Sequence, residues 1–404
     1  MTAFDATKLL SARTSAVEEA AIIRMAQKAR DLKAKGHDVV SLTLGEPDFD
    51  TPAFIQAAAT QAMAQGFTHY APVQGVPELR AALSEKLARE NGLHYSAEEI
   101  AISNGAKQAI TNAVYALIDE GDEVILLSPF WVAYEGIVRM AGGVPVQLHA
   151  GADEGFKVPA SRIAAAITPK TKLIMLNSPN NPTGAVFTKA ELEAIAAVVA
   201  QHPRLMLLSD EIYEYINFTG ERHHSIAEFE SVHNRTVIIN GFSKGFAMTG
   251  WRLGYIAAPQ WIADACIKIQ GQFTSGAASF SQKAAAYALL SDMTPTFKMT
   301  EEFQKRRDLF VRLLSEVEGF KVNHPTGAFY VFPDISFYFG KSDGENTIHN
   351  ADDFADYILY HAHVAIVSGD AFGDPDCVRL SYSLGEADLT EAVVRIKKAV
   401  ERLK

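Results

Sequence analysis

The sequence predicts an α/β fold, a mostly parallel central sheet flanked by helices, followed by a smaller α+β domain. Three observations predict it. From residue 100 onward short apolar strands alternate with helices, which builds a parallel sheet covered on both faces. Past about residue 295 a charged helix gives way to mixed strands and helices, the texture of an α+β unit. The 404 residues suffice for two domains at the usual ~100–200 residues each. The expected division is an N-terminal arm and part of the small domain in 1–47, a large domain in 48–295 and a small domain in 296–404.

In chain order, residues 14–35 interleave Ala, Ile and Met with charges and read as a helix ending at Gly36. Val39 to Leu44 is a short strand entering the turn Gly45-Glu46-Pro47-Asp48. Helices follow at about 52–65 and 77–91, the second closed by Gly92. Strands are expected at 100–102, 123–127, 172–176, 205–208 and 236–239, with helices at 106–118, 131–141, 188–201 and 278–291. The C-terminal part reads as helix 299–318, strand 329–333, helix 351–362, strand 364–367, strand 377–382 and helix 386–403. There is no internal repeat, low-complexity tract or Gly/Ser linker, so the two domains are expected to pack closely.

Composition excludes several function classes. The chain is 48% hydrophobic and 21% charged, an ordinary globular balance. A net charge of −11 argues against nucleic-acid or anionic-membrane partners, which need a basic face. Cys266 and Cys377 are too few for a disulfide framework or a cysteine-rich metal site. No signal-like h-region or run of about 18 apolar residues appears, so a soluble, cytoplasmic protein is expected.

Chemistry concentrates in loops that follow strands. Lys244 lies in Thr236–Tyr255 (TVIINGFSKGFAMTGWRLGY), just past a buried strand, at the sheet edge where open α/β folds bind ligands. Ser243 and Arg252 offer a hydroxyl and a guanidinium fork for a phosphate dianion, so the lysine sits where a Schiff base to pyridoxal phosphate is expected. A lone lysine after a strand would ordinarily be a surface group. Four further loops change that balance. Ser103 to Gln108 places small residues, Gly105 and Ala106, where helix amides can meet a phosphate, although a glycine cap explains them equally. Ser128 to Tyr134 brings Trp131, either a stacking platform or a core aromatic. Asn177 to Gly184 is a rigid turn whose Asn181 can bond a phenolic oxygen or a carboxylate, or simply turn the chain. Ser209 to Glu214 brings Asp210, either the partner of a pyridinium nitrogen or a helix cap.

Taken together, these loops resemble a fold-type I pyridoxal phosphate enzyme, specifically a class I aminotransferase. SPNNPTG, SDEIYE, NGFSKGFAMTGWRLGY and Val378-Arg379-Leu380-Ser381-Tyr382 carry the resemblance, which runs from Leu44-Gly45-Glu46-Pro47-Asp48 to the last helix. Within the family the chain is most similar to bacterial aspartate aminotransferases and to aspartate/prephenate aminotransferases, through His69-Tyr70-Ala71-Pro72-Val73-Gln74-Gly75 and Gly105-Ala106-Lys107-Gln108. The resemblance implies that Lys244 carries the cofactor covalently and then moves the substrate α-proton, for which its amine must fall below its ordinary pKa of about 10.4. Asp210 would pair with the ring nitrogen, Tyr213 and Asn181 with the phenolic oxygen, and Trp131 would stack on the ring. Gly105, Ala106, Ser243 and Arg252 would hold the phosphate. Tyr70 would reach the phosphate of a neighbouring subunit, implying a homodimer with shared sites. Arg379 would grip the substrate α-carboxylate, aided by Asn181 and the backbone at Gly45.

The same resemblance bears on substrate. Lys107 would pair with a distal carboxylate, favouring aspartate, glutamate and their 2-oxo acids. Related enzymes tend to carry a Ser/Thr pair in the N-terminal segment, where this chain reads Glu19-Ala20-Ala21-Ile22, leaving room for bulkier acids or apolar side chains. Other classes fit less well. An aminotransferase-like transcription regulator needs a DNA-binding module ahead of Gly45, and a non-catalytic scaffold would have lost Lys244, Asp210 or Arg379. A carbon–sulfur β-lyase on the same fold is the remaining rival, and it has no use for Lys107.

Overall fold

A computed structural model describes residues 9–15, 17 and 21–404. Its centre is a seven-stranded sheet of β2 (Ile100–Ser103), β3 (Glu123–Ser128), β4 (Val144–His149), β5 (Thr171–Asn177), β6 (Met206–Asp210), β7 (Thr236–Gly241) and β8 (Gly254–Ala257). The order is β2-β8-β7-β6-β5-β3-β4, and only β8 runs antiparallel to its neighbours. The short β1 is Val40–Ser41.

The central strands are apolar throughout because both faces are covered. On β3, Val124 and Leu126 join one core cluster while Ile125 and Leu127 join the other. The first cluster packs under helices Ala106–Leu117, Ala133–Met140 and Gln260–Phe273. The second packs under Ala160–Ala166 and Lys189–Ala200. At ~25 cal/mol per Å² of apolar surface, each fully buried Leu or Ile contributes about 1.5–3 kcal/mol, so these layers dominate the fold's stability.

Sequence reading missed four of these elements. Edge strand β4 contains Pro145, which weakens its strand pattern; an edge tolerates the missing N–H. Strand β8 was visible only as part of the Gly-Trp-Arg-Leu-Gly-Tyr motif, because its glycine start hides the strand signal. Helices Ala160–Ala166 and Gln260–Phe273 are the other two. The helix expected over 131–141 starts only at Ala133, leaving Trp131 in the preceding loop.

The C-terminal region pairs β11 (Val367–Ser368), β12 (Val378–Ser381) and β9 (Tyr330–Val331) as a three-stranded antiparallel sheet. β10 (Val364–Ala365) instead runs parallel to β1, so the single strand expected over 364–367 is split between two sheets. Helices Ala21–Ala34, Thr294–Leu314, Ala351–Ala362 and Glu386–Val400 close one apolar core with these strands. The helix expected over 299–318 therefore starts and ends earlier. That expected over 14–35 appears as Ala21–Ala34 after a single turn at Ala12–Ser15. Ile212, Tyr213 and Ala247, from the loops after β6 and β7, belong to this same core. Among the described residues no helix is long and apolar enough to cross a membrane.

Candidate active site

The loops at the carboxyl ends of β3, β5, β6 and β7 meet the C-terminal strands around a cavity of about 390 Å³. Parallel pairing delivers the residues: β5 and β6 run in register with Asn177 opposite Asp210, so both end at the same edge. Eleven of the thirteen residues singled out from the sequence line this cavity: Gly45, Ala106, Lys107, Trp131, Asn181, Asp210, Tyr213, Ser243, Lys244, Arg252 and Arg379. Gly105 and Tyr70 do not. Gly105 stands at the start of helix Ala106–Leu117 with φ +83°, and a Cβ there would clash with the Arg252 guanidinium. Tyr70 is fully exposed, at 102% of its reference surface.

Lys244 donates from Nζ to the backbone oxygen of Gly45. Burial, then the positive Arg379, bring its pKa down from 10.5 to about 8, opposing the pull of Glu46. Asp210 is buried, and desolvation raises its carboxyl to about 6 although Tyr134 donates to Oδ2 at 2.7 Å and the Ile212 N–H donates to Oδ1 at 3.2 Å. No helix follows Asp210, so the cap reading falls away. The Asp210 backbone is tied by Asn177 Nδ2 to its carbonyl oxygen at 2.9 Å, and the Asn181 N–H donates to Asn177 Oδ1 at 2.8 Å. The intervening acids face the other way. Glu211 accepts from Ser209 and Ser225, while Glu214 meets the buried Lys86 at 2.5 Å.

At the end of the cavity lined by Ala106 and Arg252, Gly254 allows β8 to start against the helix that begins at Ala106. A Cβ on Gly254 would lie 2.4 Å from the Ala106 amide nitrogen. Ser243 is buried beside it in the loop, and Arg252, itself left-handed at φ +53°, is braced by the Thr249 carbonyl at 2.8 Å. Open amides of a helix N-terminus, a hydroxyl and a guanidinium together favour a dianion.

Arg379, on β12, is only 1% exposed. Nη1 donates to Asn181 Oδ1 at 3.0 Å and Nη2 to the Thr43 oxygen at 2.6 Å, with the guanidinium between Tyr330 (4.6 Å) and Phe372 (4.9 Å). Nε has no partner, and no carboxylate pairs with Arg379 among the described residues. A buried cation left unpaired costs several kcal/mol, which makes this a place for an incoming anion. Lys107 likewise has no ion pair among the described residues. Its ammonium lies 4.8 Å from the Trp131 ring centroid, and desolvation, then Arg252, lower its pKa.

Sequence reading did not find Tyr330, Tyr134, Glu46 or Thr249. The Tyr330 hydroxyl meets that of Tyr213 at 2.8 Å, and Thr249 Oγ1 donates to Glu46 Oε2 at 2.9 Å. Tyr330 sits in an apolar strand that reads as core, so nothing local marked it. Glu46 and Thr249 lie within motifs already noticed, where their own signal was masked. Glu19 and Ala20, of the N-terminal stretch lacking a hydroxyl pair, lie outside the described residues, while Ile22 and Ile23 reach the cavity wall.

Comparison with known proteins agrees with this geometry. Residues 37–396 match the family model "Aminotransferase class I and II". The chain is 46% identical over 401 residues to a bifunctional aspartate aminotransferase and glutamate/aspartate-prephenate aminotransferase of Petunia hybrida, covering 98% of this chain and 83% of that one. It is 44% identical to an aspartate/prephenate aminotransferase of Cereibacter sphaeroides, covering 96% and 98%. The crystal structure of an aspartate aminotransferase from Rhizobium meliloti superposes with a TM-score of 0.95 at 41% identity, covering 98% and 99%. A Thermus thermophilus aspartate aminotransferase with maleate gives 0.90 at 41% identity, covering 96% and 99%. With its sheet, its lysine and its buried arginine in this arrangement, the chain belongs to the class I and II aminotransferase family.

Proposed function

We propose that the chain is a pyridoxal 5'-phosphate-dependent aminotransferase that moves the amino group of aspartate to 2-oxoglutarate, giving oxaloacetate and glutamate. The observation that carries the substrate assignment is that Arg379 and Lys107, two cations with no ion pair among the described residues, line one cavity. A dicarboxylic amino acid supplies one carboxylate to each, and Lys244 stands in the same cavity with its amine brought toward neutrality.

The residues fit the cofactor. Asp210 is a buried carboxylate whose pKa desolvation raises, and a pyridinium nitrogen beside it would offset that cost of burial. The helix amides at Gly105 and Ala106, with Ser243 and Arg252, form a dianion cradle, and the close packing at Gly105 and Gly254 leaves no room for side chains there. When bound, pyridoxal phosphate supplies an electron-withdrawing ring that stabilises negative charge at the substrate α-carbon. Lys244 would hold the cofactor covalently and carry the α-proton, Trp131 would cover the ring, and Tyr213 would donate to its phenolic oxygen. Asn181, whose carbonyl is taken by Arg379, offers its NH₂ to the same oxygen. Arg379 orients the α-carboxylate as a fork, with the Gly45 backbone beside it, and Lys107 meets the distal one.

The functional unit in this reading is a homodimer in which Tyr70, solvent-facing on a single chain, serves the neighbouring subunit's phosphate. The large domain is taken as 48–295 and the small one as 296–404, with 1–47 as the arm and a further part of the small domain. A second reading, prephenate or broad-specificity transamination including aromatic amino acids, is favoured by the apolar Ile22, Ile23 and Val132 in the cavity wall and by its relatives' names. A β-lyase is disfavoured because it leaves Lys107 without a task. The test is a panel of amino donors against 2-oxoglutarate, oxaloacetate and prephenate, with borohydride reduction of the loaded enzyme. Aspartate should lead, and the reduced adduct should map to the peptide containing Lys244. A preference for uncharged donors, or an adduct elsewhere, would defeat the assignment.

A further inference from the structure

Tyr134 does not line the cavity, yet it touches two residues that do. It lies in the first turn of helix Ala133–Met140 and is buried to 1% exposure. Its hydroxyl donates to Asp210 Oδ2 at 2.7 Å, and no other partner for that hydroxyl is found among the described residues. Its ring stands edge-on to the Trp131 indole, with centroids 5.6 Å apart and planes at 88°. We propose that Tyr134 is a positioning residue for transamination: its hydroxyl holds one Asp210 oxygen while its ring holds the Trp131 face, fixing both in one geometry.

A carboxylate can serve a ring nitrogen only if it is ionised and has a lone pair aimed at it. Burial opposes ionisation; the Tyr134 hydroxyl, the Ile212 N–H and the positive Lys244 favour it, while Glu211 opposes it. The two donors engage different oxygens, so they also fix the carboxylate's rotation. Tyr134 is a dependable donor, because burial and the neighbouring Asp210 push its own pKa well above the ordinary phenol value. Trp131 in turn carries the Lys107 ammonium on its ring. One tyrosine thus stands behind the carboxylate and behind the indole that faces both the cofactor and the distal cation. The plain alternative is that Tyr134 is a core aromatic whose hydroxyl found a convenient acceptor, since its ring also belongs to the core beneath the sheet.

This inference rests on the cofactor reading above, and the experiment keeps the two separate. Tyr134→Phe retains the ring packing and removes only the hydroxyl. In the full-length protein freed of cofactor, isotope-edited infrared spectroscopy follows the aspartate carboxyl bands with pH, and Asp210→Asn identifies the Asp210 band. The Asp210 titration should move up by about one to two units, matching the roughly 10- to 150-fold worth of one hydrogen bond to an ionised group. The acid limb of pyridoxal phosphate binding should move by the same amount, and kcat should fall while the KM for aspartate stays nearly constant. In the Asp210→Asn background, Tyr134→Phe should add little. An unmoved Asp210 titration overturns the proposal, as does a Tyr134→Phe effect that survives undiminished in Asp210→Asn, which would reduce Tyr134 to packing. Failure of borohydride to fix the cofactor on Lys244 in the unaltered protein would instead defeat the cofactor reading, with the infrared titration still deciding the Tyr134–Asp210 coupling.

Discussion

Replacing Arg379 with methionine separates a binding arginine from a structural one. The guanidinium donates to Asn181 Oδ1 and to the Thr43 oxygen, so removing it leaves two buried acceptors without donors, at about 1–3 kcal/mol each. The same change removes a buried cation with no anionic partner among the described residues, relieving a desolvation cost of several kcal/mol. The two effects oppose each other, so the ligand-free variant should melt close to the unaltered protein. Function should not be spared. A fork that gives a carboxylate two charge-assisted hydrogen bonds is worth about 3–6 kcal/mol, or roughly 10²- to 10⁴-fold in kcat/KM for aspartate. A dicarboxylate with no amino group, such as maleate, would read out the same contact without turnover. At a hundredfold excess over its Kd it should stabilise the unaltered protein by about 2.7 kcal/mol, and that gain should vanish in the variant. Arg379→Lys should recover little, because an ammonium cannot reproduce the planar fork. The reasoning is refuted if Arg379→Met lowers the melting temperature of the ligand-free protein in parallel with activity, or if maleate stabilises both proteins equally.

Other outcomes follow from the same geometry. Lys107→Ala should depress activity with aspartate and glutamate by roughly 10- to 150-fold, toward the lower end because the residue is partly solvent-exposed, and leave alanine or an aromatic donor nearly unaffected; equal losses in both classes would move Lys107 into cofactor binding or folding. Mixing Lys244→Ala with Tyr70→Phe subunits should restore activity through the one intact site of each mixed dimer, and no recovery despite verified exchange would keep Tyr70 out of the neighbouring site. Because Lys244 titrates at about 8 rather than 10.5, capture of pyridoxal phosphate by the cofactor-free protein should speed up with pH and level off just above 8. The lowered value also means that between about 8 and 10.5 the unfolded chain holds the extra proton, so Lys244 makes stability rise with pH across that window, and Lys244→Met should flatten the rise.

Much of this molecule was legible from local sequence, because local rules fix it. Apolar runs such as Thr236–Ile239 are strands with both faces covered, and the loops after them fall at the ligand-binding edge of a parallel sheet. Lys244, Asp210 and Asn181 could therefore be assigned to one edge before any coordinates, and eleven of the thirteen residues singled out line one cavity. The tertiary structure decided what depends on partners distant in sequence. Arg379 reads as an ordinary polar residue in a strand; only the tertiary structure buries it beside Tyr330 and Phe372, next to the Thr43 carbonyl, with no anionic partner among the described residues. Tyr134 looks like any core aromatic until β6 brings Asp210 within 2.7 Å. The pKa values of Lys244 and Asp210 are likewise products of desolvation and through-space charge. Strand β4, with Pro145, and strand β8, opening on a glycine, were hidden for a related reason: their neighbours in the sheet, not their own composition, hold them extended.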